Sequence, residues 1–303
     1  MASSRVEVIE GTLKVNSFDT YEDLITGKEK LSIRDFNSFQ KGFDELKQSG
    51  ENLRISQEGY NEITAWEGST LLELLDQDGF IILEDYLIYL NFNNRTAVVS
   101  TDLNLKDEIL AGDISSESIR LFKFEDDVIG LLEINSPSTK SKESYNLKIT
   151  NFFVPAPTIG NDCTWDKCDN NGDANQNKFD PITSTEYRLE AKHVYQAAAV
   201  YFRLMSEAKH MKRGGNLTYT AENTNSYIRY DYWYDSKKSS IGIKFGTGES
   251  YKFINDHNLF YYESSRGLNS YRLDTQFEVF IGGSHGSGTL GWWLFNLQRI
   301  SKN

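Results

Sequence analysis

Between Cys163 and Asp180 the chain reads CTWDKCDNNGDANQNKFD, and this stretch holds both of its cysteines. Asp169, Asn171, Asp173, Asn175, Asn177 and Asp180 fall at the first, third, fifth, seventh, ninth and twelfth positions of a twelve-residue loop. Ca²⁺ takes six to eight hard oxygens, and alternate residues of a tight loop can turn theirs inward, so this spacing makes Ca²⁺ the candidate cofactor. Two features depart from the helix-flanked calcium loop. Its sixth position, where a sharp turn needs glycine, is Ala174, with Gly172 two places earlier, and its last ligand is Asp180 rather than a longer glutamate. The same composition also makes an ordinary polar turn-rich loop.

Cys163 and Cys168 are spaced C-x₄-C. That is not the C-x-x-C of redox motifs. Zinc would need two further soft or imidazole ligands, and His193, His210, His257 and His285 are remote in sequence. In an oxidising compartment the pair reads as a local disulfide, worth about 2 kcal/mol for so short a loop. In a reducing one it reads as two thiols.

Catalytic patterns are missing elsewhere. There is no H-E-x-x-H, and the G-x-S-x-G letters of Gly282–Gly286 read as a glycine-rich β-turn rather than a nucleophile elbow. Ser284 and His285 are adjacent in GGSHGSG, and neighbours on a strand point to opposite faces. FGTGES has no phosphate-loop lysine. The strongest binding feature is YIRYDYWYD. As a strand it puts Tyr230, Tyr232 and Tyr234 on one face and Asp231, Trp233 and Asp235 on the other. An exposed aromatic row stacks on sugar rings or buries in a protein partner, whereas a covered one is core.

These residues need scaffolds, and 303 residues give room for one large or two ordinary domains. Net charge is −12, unevenly spread: 17 basic and 33 acidic residues precede position 184, and 15 and 11 follow from there. The front is therefore near −16 and the back near +4. An acidic front disfavours nucleic acid and anionic membranes as partners. KHMKRGG is too short a basic cluster to reverse that. No apolar run is long enough to span a bilayer. MASSRVEVIEGTLKV carries no apolar signal core, so either the protein is cytosolic or a signal has been removed.

Residues 1–134 read as an acidic α+β domain. Phe36, Phe39, Phe43 and Leu46 recur at helical spacing, with Ser32 and Asp35 resembling a capping arrangement. GSTLLELLDQDG predicts a short helix capped by Ser69. FIILEDYLIYLNFNNRTAVVS predicts a three-stranded antiparallel meander with turns at Glu84-Asp85 and Asn93-Asn94. SIRLFKF predicts a further strand and EDDVIGLLE a helical turn. Residues 135–185 form the connector. Residues 186–303 read as an aromatic, mainly antiparallel, β-sandwich-like domain, with strands in YIRYDYWYD, SSIGIKFGTG, DTQFEVFIGG and TLGWWLFNLQRI. Propensity leaves YRLEAKHVYQAAAVYFRLMSEAKHMKRGG open between helix and strands.

LLDQDGFIILEDYLIYLNFNNRTAVVS resembles a segment of uncharacterised secreted proteins and lipoproteins of Bacteroidota, with Leu74, Asp78 and Gly79 forming its L-x-x-x-D-G. KHVYQAAAVYFRLMSEAKHMKRGG resembles a later V-Y-Q-x-x-x-V-Y-F segment of the same proteins. The two cover about a sixth of the chain. The resemblance implies export to the periplasm, outer membrane or medium, a β-rich C-terminal domain, and two long strands over 187–211. It supplies no catalytic residues, and export favours the disulfide. The expected function is a non-enzymatic protein that binds a protein or glycan at the cell surface. A hydrolase of surface polysaccharide or peptide, and a structural subunit of an assembly, are the alternatives.

Overall fold

The computed structural model describes residues 5–33, 36–49, 57–66, 68–135, 174–179, 187–213, 219–280 and 292–302. The chain is mostly β and divides into two compact units. One holds 1–148 with Ala197–Tyr201 and Ser264–Arg266, and the other holds the remainder.

The first unit carries a six-stranded sheet in sequence order: β1 (Val6–Ile9), β2 (Thr12–Val15), β3 (Phe80–Leu83), β4 (Tyr86–Asn91), β5 (Thr96–Ser100) and β6 (Ile119–Lys123). Only the β2–β3 pairing is parallel, because α1 (Phe18–Ile25), α2 (Phe39–Ser49), α3 (Gln57–Trp66) and α4 (Thr70–Leu74) intervene in the chain. The expected meander is β3–β4–β5, with register pairs such as Ile81↔Ile88 and Ile88↔Val99. All four β3 side chains are buried, as a strand covered on both faces requires. The helical pieces α5 (Lys106–Leu110) and α6 (Val128–Asn135) complete the unit.

The capping expectation at Ser32 fails. Helix α2 begins at Phe39, and it is Ser38 whose Oγ accepts the Lys41 N–H at 3.3 Å. Phe39 N–H also donates to the Leu75 carbonyl at 2.8 Å, and Ser38 bridges Asp76, so tertiary pairing delays the helix. At α4, Ser69 stands at the N-cap with extended backbone but makes no side-chain capping bond.

Asp76 organises the turn into β3. Its Oδ1 accepts the N–H groups of Asp78 and Phe80 at 3.0 and 2.9 Å. Its Oδ2 accepts from Thr12 Oγ1 at 2.5 Å and Lys106 Nζ at 2.8 Å. A buried carboxylate is tolerable only with such complete pairing. Gly79, at φ +97, supplies the left-handed step that the D-G pair needs.

The core gathers Leu13, Tyr21, Phe43, Trp66, Ile81, Ile88 and Phe124 with Ala198, Ala199, Val200 and Tyr201. Trp66 and Tyr201 meet edge to face at 5.6 Å. Ala199 takes φ +60, which its N–H to Phe124 O (2.7 Å) and its carbonyl's bond from Val128 N–H (3.0 Å) enforce. Arg266 pairs with Asp127 at 3.1 Å and with Glu133. Glu22 accepts from Ser264 Oγ and Ser265 N–H at 2.9 and 2.8 Å.

The second unit contains β7 (Ala174–Phe179), β8 (Tyr187–Ala197), β9 (Phe202–Arg213), β10 (Tyr219–Ala221), β11 (Thr224–Ser236), β12 (Ile243–Ile254), β13 (Asp256–Ser264), β14 (Leu268–Phe280) and β15 (Trp292–Lys302). One sheet runs β10-β9-β8-β7 with β13 also on β9, and the other runs β12-β11-β14-β15. The ambiguous 187–211 stretch is thus two strands rather than a helix, and β7 falls inside the expected connector. Tyr187, Leu189 and Ala191 of β8, Ala208 of β9, Ile228 of β11 and Phe277 and Val279 of β14 share one cluster, so both sheets contribute to a common core.

Candidate functional site

Strand β11 pairs β12 on one side and β14 on the other, and the registers give the faces of this sheet directly. Ile228 opposes Phe277, and Ser226 opposes Val279. These even-numbered β11 residues and odd-numbered β14 residues face the core. The period of two therefore puts the odd-numbered residues of β11 and β12 on the outer face.

Each expected aromatic now has a place. Tyr230, Tyr232 and Tyr234 are on the core side. Tyr230 and Tyr232 lie 5.0 and 5.1 Å from the Tyr261 ring, and Tyr234 lies 5.0 Å from Tyr262. Burial pushes the Tyr261 hydroxyl well above its ordinary value, even though it donates to Ser206 Oγ at 2.9 Å. The reason two tyrosines fit here is a pair of glycines across the ladder. A Cβ on Gly248 would stand 2.6 Å from Tyr230 Oη, and one on Gly246 would stand 2.9 Å from Tyr232 Cε1. The rings lie over bare backbone, which is how an exposed strand keeps glycine without losing cover. Trp233 is on the outer face, part-buried, between Phe245 of β12 and Arg272 of β14.

The outer face reads as transverse rows. Phe245–Trp233–Arg272 is one, and Tyr251–Tyr227–Glu278 is another. Between them lie Thr247–Asp231–Asp274 and Glu249–Arg229–Gln276. Six residues separate Trp233 from Tyr227, about 20 Å along the strand. The polar middle forms a shallow concavity of about 520 Å³. Its charges pair with each other. Arg229 Nη2 meets Glu249 Oε1 at 3.1 Å, and Arg272 bridges Asp231 at 2.6 Å and Asp274 at 3.5 Å. The Tyr227 hydroxyl, hydrogen-bonded to Glu249, and then Arg229 hold that carboxyl below the usual range.

Sequence reasoning found Trp233 but missed the most exposed residues of the adjoining strand. Phe245 is 79% exposed, Ile243 60%, Phe253 56% and Tyr251 55%, all on β12. The signal was present: IKFGTGESYKF alternates Ile, Phe, Thr, Glu, Tyr, Phe with small or basic residues. Along β12 only Gly246, Gly248, Ser250 and Ile254 are part-covered, and the rest are exposed.

Histidines offer no catalytic centre among the described residues. His257 is fully buried, with Nε2 2.8 Å from Ser250 Oγ and Nδ1 3.0 Å from Ser226 Oγ. Burial, aided by Lys252, holds its pKa at about 4. A Ser–His contact is what a hydroxyl nucleophile needs, but here a second serine stands where a carboxylate would orient the ring. The two bonds tie β13 to β11 and β12. His210 is buried against Tyr187, which lowers its pKa, and His193 bonds Thr275 Oγ1 at 2.8 Å.

The opening stretch lies mostly outside the described residues. Cys163, Cys168, Asp169, Asn171, Asp173 and Asp180 fall there, as does the Ser284–His285 pair, while Asn175 and Asn177 belong to strand β7. Among the described residues no cluster of three or more His, Cys, Asp or Glu could hold a metal, and no helix is long and apolar enough to cross a membrane.

Fold and face together define a β-rich protein with an aromatic-edged sheet surface. No family model and no curated protein matches the chain. Among solved structures it is similar to the crystal structure of a DUF4848 family protein from Bacteroides thetaiotaomicron. That match has 10% identity over 96% of this chain and 100% of the other, with a TM-score of 0.19. A likeness of that size carries no argument about activity.

Proposed function

We propose that this is an exported, non-enzymatic binding protein of the Bacteroidota surface type. Its contact surface is the outer face of β12, β11 and β14 in a sandwich-like second unit. The observation that carries the reading is the exposure of Phe245 beside Trp233 and of Tyr251 and Phe253 toward the other end of β12. Large aromatics left in water on one strand mark a partner's footprint rather than a core. The ion pairs between the aromatic rows would form the polar part of that footprint. The partner is a protein or a glycan, and the edge of β12, unpaired among the described strands, favours a protein.

The Glu249 carboxylate of this face does not favour the hydrolase alternative. A general acid needs a carboxyl held above its ordinary range, whereas Glu249 is held below it. The Cys163–Cys168 disulfide and a Ca²⁺ site over 169–180 remain parts of this proposal. Intact mass before and after reduction tests the first. Calorimetric Ca²⁺ titration of wild type against Asp173→Ala tests the second.

The face itself is tested by biolayer interferometry of immobilised wild-type, Phe245→Ala and Trp233→Ala proteins against fractionated bacterial surface proteins and soluble polysaccharides. The substitutions are expected to weaken the retained ligand by about thirtyfold, equivalent to about 2 kcal/mol, as at an interface hot spot. Unchanged retention by both variants would sink the reading.

A further inference from the structure

β12 is the terminal strand of its sheet, pairing β11 on one side only among the described strands. It is twelve residues long. A long edge strand presents a row of backbone N–H and C=O groups, which proteins normally blunt because other chains add to it. Here the edge is sparsely blunted. Ile243, Phe245, Tyr251 and Phe253 alternate along one face, and on the other face the only charged residues are Lys244 and Lys252. Neither lysine has an ion-pair partner among the described residues, and both are exposed.

The two lysines decide which chain can add. A second copy pairing antiparallel over the full strand would centre on Gly248, since residues 243 and 253, 245 and 251, and 247 and 249 then oppose. The aromatics would match, but Lys244 would face Lys252 twice, and like charges directly opposite destabilise a ladder. An acidic partner turns the same two positions into cross-strand ion pairs. Its carboxylates must be eight residues apart, as Lys244 and Lys252 are, with apolar residues at the alternate positions that face Phe245, Tyr251 and Phe253.

We propose that the open edge of β12 captures an extended polypeptide by strand addition, with acidic residues eight positions apart on one face and apolar residues on the other. This rests on the binding role of the outer face and specifies its partner. Backbone hydrogen bonds would supply affinity, and the alternating side chains would supply selectivity.

The test uses the whole protein and synthetic twelve-residue peptides. The first carries Glu at its second and tenth positions and alternating Val and Tyr at odd positions. The second carries Lys in place of Glu. The third keeps Glu but is N-methylated on alternate residues, so that it cannot complete a ladder. Fluorescence anisotropy should show the first binding at least about tenfold more tightly than the second, as replacing two opposite-charge pairs by two like-charge pairs implies. The third should lose binding. The Lys244→Glu/Lys252→Glu protein should reverse the preference between the first two. Hydrogen exchange of β12 amides should slow on binding the first peptide only.

Equal affinity for all three peptides, or no binding of the first, overturns strand addition. If Phe245→Ala weakens a natural ligand while N-methylation and the lysine reversal have no effect, the outer face still binds but the edge does not capture a strand. A soluble polysaccharide that competes at Phe245 without protecting β12 amides would mean the same.

Discussion

β3 and β12 are both apolar strands of one chain, and they meet opposite fates. Phe80, Ile81, Ile82 and Leu83 are all buried, whereas Ile243, Phe245, Tyr251 and Phe253 are all more than half exposed. Residue type does not separate them, since Ile and Phe occur in both. Position does. β3 is paired by β2 and β4 and covered on both faces, while β12 is paired by β11 alone among the described strands and has its aromatic face in water. Burial of an apolar strand is a property of its neighbours, and an apolar strand without them is a surface to be explained.

The largest test of this contrast is Ile81→Ala. Ile81 is fully buried in the core of the first unit, so truncation should cost about 2–5 kcal/mol in urea unfolding. A loss below about 1 kcal/mol would mean that the core around β3 collapses to fill the gap, and the contrast would weaken.

Gly248→Ala probes how β12 is held despite its exposure. Strand propensity alone would make alanine stabilising by about 0.5–1 kcal/mol. The Tyr230 ring, 2.6 Å from the added Cβ and packed on Tyr261, should reverse that sign, with a net loss of about 1 kcal/mol. Stabilisation instead would show that the ring moves freely and that the glycine is unnecessary.

All four histidines lie in the second unit, so an imidazole-linked pH response should be confined there. The unfolded His257 ring takes up its proton near 6.5, but the folded one only at about 4. Its stabilising contribution is therefore complete above about pH 6.5 and is lost as pH falls toward 4. The urea midpoint of His257→Asn should depend less on pH over that window than the wild-type midpoint does. Identical slopes would show that the ring is not held neutral.

Phe245→Ala should have the smallest effect. At 79% exposure its removal should change stability by no more than about 0.5 kcal/mol. A larger loss would mean that the side chain packs and that β12 resembles β3 after all.

Local periodicity made β3–β6, α4, α6 and, in the second unit, β11, β12, β14 and β15 legible, since each carries an apolar pattern between turn residues. Ser32 is a false capping signal because the start of α2 is set not within the helix's own segment but by Leu75 and Asp76, more than thirty residues away. Tyr230 and Trp233 were visible as opposite faces of a strand. Which face was the core was not, because that depends on Ile228 meeting Leu189 and Phe277 through pairings between distant segments. Phe245 was missed for a related reason. Its significance lies in β12 being terminal in its sheet, and strand order is a long-range property.

The first unit is not a continuous stretch of chain. Ala198–Tyr201 sit in its core, and Arg266 pairs with Asp127 within it. During synthesis from the N-terminus, its first 148 residues leave the ribosome well before residues 197–201 and 264–266 complete it. The wait spans about three-quarters of the second unit. A fragment ending at residue 148 would lack Tyr201 against Trp66 and the cation for Asp127. The first unit is therefore complete only at residue 266, just before the last segment of the second unit, 267–303, is made.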